Sequence, residues 1–152
     1  FPSMPILIYK PEIEFTLLDS LNKRLTFLST VNSELGLDAK LVHSRAEVSG
    51  QEENYREKFD LAMARAVAPM NVLSEYCIPF VKEGGAFVAL KGSNDDVSEA
   101  GNAIEVLGGR LESNISYELG GTEPRTIAVV RKISQTPTQY PRKSKKISTK
   151  PL

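Results

Sequence analysis

The sequence predicts an α/β fold, a mostly parallel sheet covered by helices on both faces and closed by an antiparallel hairpin. Three observations predict it. Short branched apolar runs alternate with stretches whose apolar residues recur every three or four positions, which is the pattern of strand–helix–strand units. The last two runs, about 111–118 and 126–132, flank Gly120-Gly121 and stand too close in sequence for a crossover, so they pair as a hairpin. The length of 152 residues is about one domain's worth, enough to bury a core. A composition of 41% hydrophobic and 25% charged residues excludes disordered, collagen-like and disulfide-stapled chains.

The elements follow in order. Glu14 to Leu18 is a short apolar strand ending at Asp19. Ser20 is expected to cap a helix carrying Leu21, Leu25, Leu28, Val31 and Leu35, with Gly36 as its stop. Lys40 to His43 reads as a second strand, 47–58 as polar and loop-like or weakly helical, and Phe59 to Ala64 as a third strand ending at Arg65. A helix after Pro69 carries Val72, Leu73, Tyr76, Cys77 and Phe80, with Pro79 disturbing its last turn. Gly84-Gly85 is expected to break the chain before the strand Ala86 to Leu90, which ends at Lys91. Ser93 or Asn94 then caps a helix with Val97, Ala100, Ile104 and Leu107 on one face, closed by Gly108-Gly109. The expected organisation is one α/β domain over 1–133 and a flexible basic tail over 134–152, where Pro, Ser, Thr and Lys dominate.

Charge and cysteine usage narrow the partners. The net charge of zero divides sharply: residues 1–123 hold all 19 acidic residues and carry −8, whereas 124–152 carry +8 with no acid. A basic end on an acidic body suggests nucleic acid before membrane, and a solvating tail is the bland alternative. No apolar run approaches the roughly 20 residues that span a bilayer, and no basic stretch precedes Pro5 to Ile8, so neither a membrane protein nor a signal peptide is expected. The single cysteine, Cys77, fits a reducing cytoplasm, the expected location.

Ligands of open α/β sheets sit beyond the carboxyl ends of the strands. Asp19, the Ser44-Arg45-Ala46-Glu47 turn, Arg65 and Lys91 occupy those ends, a sparse polar set suited to a nucleoside. Asp19 can accept both hydroxyls of a ribose or cap the following helix, and the residues alone leave both open. No metal constellation, Ser-His-Asp arrangement or P-loop is present, and His43 and Cys77 read as structural.

Three stretches together carry a resemblance: Phe1-Pro2-Ser3-Met4-Pro5, Leu18-Asp19-Ser20-Leu21-Asn22-Lys23-Arg24-Leu25-Thr26-Phe27-Leu28, and Ser44-Arg45-Ala46-Glu47 with Ala64-Arg65-Ala66-Val67-Ala68. Ala89-Leu90-Lys91-Gly92 and Tyr140-Pro141-Arg142-Lys143 extend it along nearly the whole chain. The sequence resembles the bacterial methyltransferases that modify the 7-position of a guanine in 16S ribosomal RNA, formerly glucose-inhibited division protein B. The resemblance implies a class I, Rossmann-like methyltransferase fold and S-adenosylmethionine as methyl donor. By position it implies that Phe1 lines the donor pocket, Asp19 takes the ribose, Ala46 and Glu47 border the adenine, and Arg65 lies at the donor site. Lys23, Arg24, Lys91, Arg125 and Arg131 become candidate phosphate contacts. The implied partner is 16S rRNA or the small subunit, without membrane, bound by a monomer.

The 7-nitrogen of guanine presents a lone pair and loses no proton on methylation, so no general acid or base is nominated. Holding it in line with the methyl group supplies most of the rate.

The chain departs from the pattern at its start. The family's Asp-Val-Gly-x-Gly-x-Gly loop and its preceding strand would stand just before Phe1, so a carboxyl-terminal fragment is expected, lacking the first and central strand of the sheet. Two other readings stay open: a catalytically inactive RNA-binding remnant in which the tail supplies the affinity, and a dinucleotide-dependent oxidoreductase on a similar sheet.

Overall fold

The structure, a computed structural model, describes residues 2–65, 67–92, 97–118, 120–121 and 124–152. Phe1 and the expected caps Ser93 and Asn94 lie outside the described residues. The chain forms two compact units, Phe1–Ala46 and Glu47–Leu152.

In the first unit, helix α1 (Ser3–Tyr9) buries Met4 and Leu7, three apart and therefore on one face. Strand β1 (Thr16–Asp19) pairs parallel with β2 (Lys40–His43), in register from Thr16↔Lys40 to Asp19↔His43. Helix α2 (Asn22–Glu34) makes the crossover between them. Met4, Leu7, Leu17 and Ala39 form the core, with Phe15, Leu28, Val31 and Leu41 packed against it. The Asn32 side chain ties the helix to the start of β2, donating to the Ala39 carbonyl at 3.2 Å and accepting its N–H at 3.1 Å. The expected cap is corrected: α2 begins at Asn22 and the Ser20 hydroxyl does not cap it. Asp19 Oδ1 instead accepts the Leu21 N–H at 2.8 Å.

The second unit holds a four-stranded sheet in the order β3 (Phe59–Arg65), β4 (Val81–Lys91), β6 (Pro124–Lys132), β5 (Gly109–Glu118). β3 and β4 are parallel, and the other two pairings are antiparallel, so the predicted hairpin is present. The short helix α3 (Ala46–Ser49) leads in from the unit boundary, and α4 (Met70–Cys77) and α5 (Gly101–Val106) connect the strands. Pro79 sits in a single 3₁₀ turn, Ile78–Phe80, which ends α4 because proline lacks the N–H a continuing helix requires. Leu73, Ile78, Val81, Phe87, Ala89, Ile104, Leu107 and Val130 are buried together in the core. No helix among the described residues is long and apolar enough to cross a membrane.

The strands divide between two sheets, β1–β2 and β3–β4–β6–β5, and no strand among the described residues pairs with both β1 and β3. Two expectations are corrected. Gly84-Gly85 does not precede the strand but lies inside β4, where the register slips from Phe59↔Val81 to Leu61↔Ala86. A Cβ at Gly85 would stand 2.6 Å from the Asp60 carbonyl oxygen, so the glycine serves close strand approach. Residues 134–152 do not leave the fold as a flexible tail: Thr136, Tyr140 and Ile147 are buried, and α6 (Ser144–Thr149) is helical. Composition misled here because the apolar residues that anchor the segment are few and widely spaced.

Candidate functional site

In the first unit the candidate ligand-binding residue stands at the carboxyl end of β1. The Asp19 carboxylate projects there, its side chain 23% exposed. Oδ1 accepts the Leu21 N–H at 2.8 Å and Oδ2 accepts from Arg24 Nη1 at 3.3 Å. An ionised carboxylate has about four acceptor positions. Two are taken, and those left, one on each oxygen, suit the paired hydroxyls of a ribose. The contact with Leu21 is a turn ahead of α2 and not a cap of the helix, so Asp19 is not the N-cap, and Arg24 is engaged with Asp19 as well as exposed. Lys23 is exposed on α2. His43 Nε2 lies 3.1 Å from the Ser20 carbonyl oxygen and steadies the same turn. Ala46, half-buried, ends this unit at the start of α3.

In the second unit Glu47 occupies the first turn of α3, half-buried. Glu47, Val48 and Gln51 line a recess of about 390 Å³, whose other wall is the Gln139–Ser144 segment, including Pro141, Arg142 and Lys143. Arg65, the last residue of β3, is exposed and stands opposite Leu90. Among the described residues, no group of three His, Cys, Asp or Glu side chains could hold a metal ion.

The cations nominated for phosphate contact have different surroundings. Lys91 is 4% exposed, and its Nζ donates to the Ala68 carbonyl at 2.6 Å, which ties β4 to the segment before α4. It is a structural cation and does not reach the surface. Arg131 is paired with Glu112, Nη2 to Oε2 at 2.8 Å, and donates to the Gly84 carbonyl at 3.0 Å. Arg125 is half-buried, with Nη1 beside Gly92.

Two acids and an arginine that the sequence reading passed over hold the carboxyl-terminal segment. The Arg56 guanidinium donates to the carbonyls of Gly50 and Tyr140 through Nη1 and of Thr136 and Pro137 through Nη2, at 2.6–3.2 Å. Glu57 Oε1 accepts Lys132 Nζ at 2.7 Å and the Thr136 N–H at 2.8 Å. Burial works to raise the Glu57 carboxyl, but the hydrogen bonds from Lys132 and Thr136 and the charges of Lys132 and Arg56 outweigh it and hold it below the ordinary carboxylate range. Burial pushes the Lys132 ammonium below its ordinary value, against the pull of Glu57.

Glu75, wholly buried, grips Arg142: Oε1 accepts its backbone N–H and Nε, each at 2.8 Å, and Oε2 accepts Nη2 at 2.6 Å. That hydrogen bonding raises the Arg142 guanidinium further above its ordinary value. The signal was present in the sequence, since Glu75 interrupts the apolar stripe of α4 between Val72 and Tyr76. A buried acid there requires a cation partner.

Comparison with known proteins bears on the fold and the family. Structures of S-adenosylmethionine-dependent methyltransferases superpose on the chain. One from Methanosarcina mazei has TM-score 0.69 at 12% identity, covering 86% of this chain and 87% of that one. A 16S rRNA (adenine(1408)-N(1))-methyltransferase from Catenulisporales acidiphilia, solved with cosubstrate SAM, has TM-score 0.70 at 14% identity, covering 86% and 78%. Likeness at such low identity establishes the fold, that of the class I methyltransferases. Proteins named ribosomal RNA small subunit methyltransferase G are far nearer in sequence. Those of Lactobacillus acidophilus and Lactobacillus johnsonii are 51% and 52% identical over all of this chain. The chain spans 65% of the length of each. The family described as rRNA small subunit methyltransferase G matches residues 1–121, and with half the residues shared along its whole length the chain belongs to that family.

Proposed function

We propose that the protein containing this chain is an S-adenosylmethionine-dependent methyltransferase acting on the 7-nitrogen of a guanine in 16S ribosomal RNA. The observation that carries the reading is the 51% identity, covering all of this chain, to a protein named ribosomal RNA small subunit methyltransferase G. When bound, S-adenosylmethionine supplies an electrophilic methyl group. Asp19 accepts the ribose hydroxyls through its two remaining acceptor positions. Ala46 and Glu47 border the adenine, and Arg65 contributes to the donor site from the end of β3. Phe1, for which the resemblance implies a place in the donor pocket, lies outside the described residues. The nucleophile needs no base, so the protein's work is to hold and align. Lys23, exposed on α2, is the nominated cation whose surroundings best support a phosphate contact, with Arg24, Arg125 and Arg131 more closely engaged inside the chain. The enzyme acts in the cytoplasm as a monomer, which light scattering of the full chain checks.

The test is methyl transfer from labelled S-adenosylmethionine to 16S rRNA by the protein containing this chain, followed by mapping of the product nucleoside. Transfer to guanine-7 is expected. Donor binding in the Asp19→Ala variant should be weaker by about 1–3 kcal/mol, the scale of lost hydrogen bonds to a charged group. Unchanged donor affinity would remove Asp19 from the site. Binding of rRNA without any donor binding would instead favour a non-catalytic RNA-binding protein.

A further inference from the structure

The eight cations of residues 124–152 divide into two sets of four. Arg125, Arg131, Lys132 and Arg142 are half-buried or buried and engaged within the fold. Lys143, Lys145, Lys146 and Lys150 are exposed, and their ammonium groups meet no carboxylate among the described residues. These four lie within eight residues, on and beside α6, and no acidic residue follows Glu123 in the sequence.

The segment that carries them is held at both sides. Ile147 is fully buried, Glu75 grips Arg142, and Gln51 Nε2 donates to the Pro141 carbonyl at 2.9 Å. Leu152 packs against the core of the second unit. We infer that this lysine face of α6 is an electrostatic contact surface for the phosphodiester backbone of the RNA substrate. The inference rests on the reading of the protein as an rRNA methyltransferase and adds where that RNA is gripped.

Two features favour RNA over a lipid surface. A membrane-surface helix presents an apolar face beside its lysines. On α6 the one large apolar side chain, Ile147, points inward, and its exposed neighbours are Ser148 and Thr149. Hydroxyls next to ammonium groups are the usual phosphate-contacting set. Anchoring matters too, because lysines on a fixed segment lose less chain entropy when they meet phosphates than lysines on a free tail.

The test compares the full chain with a variant carrying Lys143→Gln, Lys145→Gln, Lys146→Gln and Lys150→Gln, plus a control with Lys10→Gln and Lys58→Gln. Anisotropy reads binding to a fluorescent small-subunit rRNA transcript at 50–200 mM salt. Four phosphate contacts contribute a log–log salt slope of about −3, taking about 0.7 per contact on single strands. The quadruple variant is expected to lose about that much slope, so that the wild type's advantage shrinks about 50-fold between 50 and 200 mM. The control should keep the wild-type slope, and circular dichroism should match throughout.

An unchanged slope in the quadruple variant overturns the lysine assignment while leaving the methyltransferase reading intact, which methyl transfer by the same samples reads independently. A wild type that ignores the transcript but binds vesicles of phosphatidylserine and phosphatidylcholine through these lysines overturns the inference and the RNA partner together. Binding to neither overturns both as well.

Discussion

Replacing Glu75 by alanine removes the carboxylate on which the carboxyl-terminal segment hangs. Glu75 is fully buried and the Arg142 side chain is 12% exposed, so the pair is largely out of water. Three donors of one residue, the Arg142 N–H, Nε and Nη2, lose their acceptors at once. Deleting one partner of a buried, hydrogen-bonded ion pair costs about 3–5 kcal/mol, because the other charge stays behind unpaired. Arg142 retains some access to water and lies 5.8 Å from the centre of the Tyr140 ring, which places Glu75→Ala near the lower end, at about 3 kcal/mol. Arg142→Ala strands the acid at the more buried site and should cost more, about 4–5 kcal/mol. The double variant should then recover about 2–3 kcal/mol of the summed losses. Urea unfolding followed by circular dichroism measures all four proteins. A Glu75→Ala loss below about 1 kcal/mol, or additive single losses, would refute the view that this pair fastens the segment. The same variant also tests the purpose of the anchor, since loosening Arg142 should weaken rRNA binding at low salt while every lysine remains in place.

Four further outcomes follow from particular residues. Glu57 titrates below its ordinary value of 4.5 in the folded state, so between that value and the lower folded one the unfolded chain binds more protons. Its contribution is complete above pH 4.5 and is lost as pH falls through the folded value; the acid limb of a stability–pH curve should flatten in Glu57→Gln, and an identical limb would contradict the Lys132–Glu57 linkage. Glu57 also has φ of +52°, so Glu57→Gly should be more stable than Glu57→Ala by about 1 kcal/mol in the same urea titration, and the reverse order would contradict that backbone geometry. Gly108 has φ of +83°, and a Cβ there would stand 2.3 Å from the Ser134 carbonyl oxygen; Gly108→Ala should lose at least about 2 kcal/mol, whereas a neutral result would mean 133–134 does not dock there. Desolvation pushes the Cys77 thiol up to about 12, so iodoacetamide at pH 8 should label unfolded chain quickly and native chain very slowly, as mass spectrometry can follow.

Local patterning was enough to specify much of this chain. The alternation of branched runs with three- and four-spaced apolar residues determined the order of the six strands and of α2, α4 and α5, though not α1 or α6, and Gly120-Gly121 with its flanking runs determined the β5–β6 hairpin. Asp19 at the end of a strand, and the Ser44–Glu47 and Arg65 positions, were legible for the same reason: chain order alone places them where strands end. What only the tertiary structure decided was the fate of individual charges and of the last nineteen residues. Lys91 and Lys143 are the same residue type, and each stands just ahead of a polar run. One is buried against the Ala68 carbonyl and the other faces solvent, a difference made by which element packs over each. Residues 134–152 look like a solvated tail in composition, yet partners 67 to 90 positions away, Glu75, Arg56 and Gln51, supply the acceptors and donors that seat them. Contacts at such separations leave no periodicity in a sequence window. The net +8 of the carboxyl-terminal residues is therefore a property of the sequence, while its division into four internal cations and four exposed ones is a property of the fold.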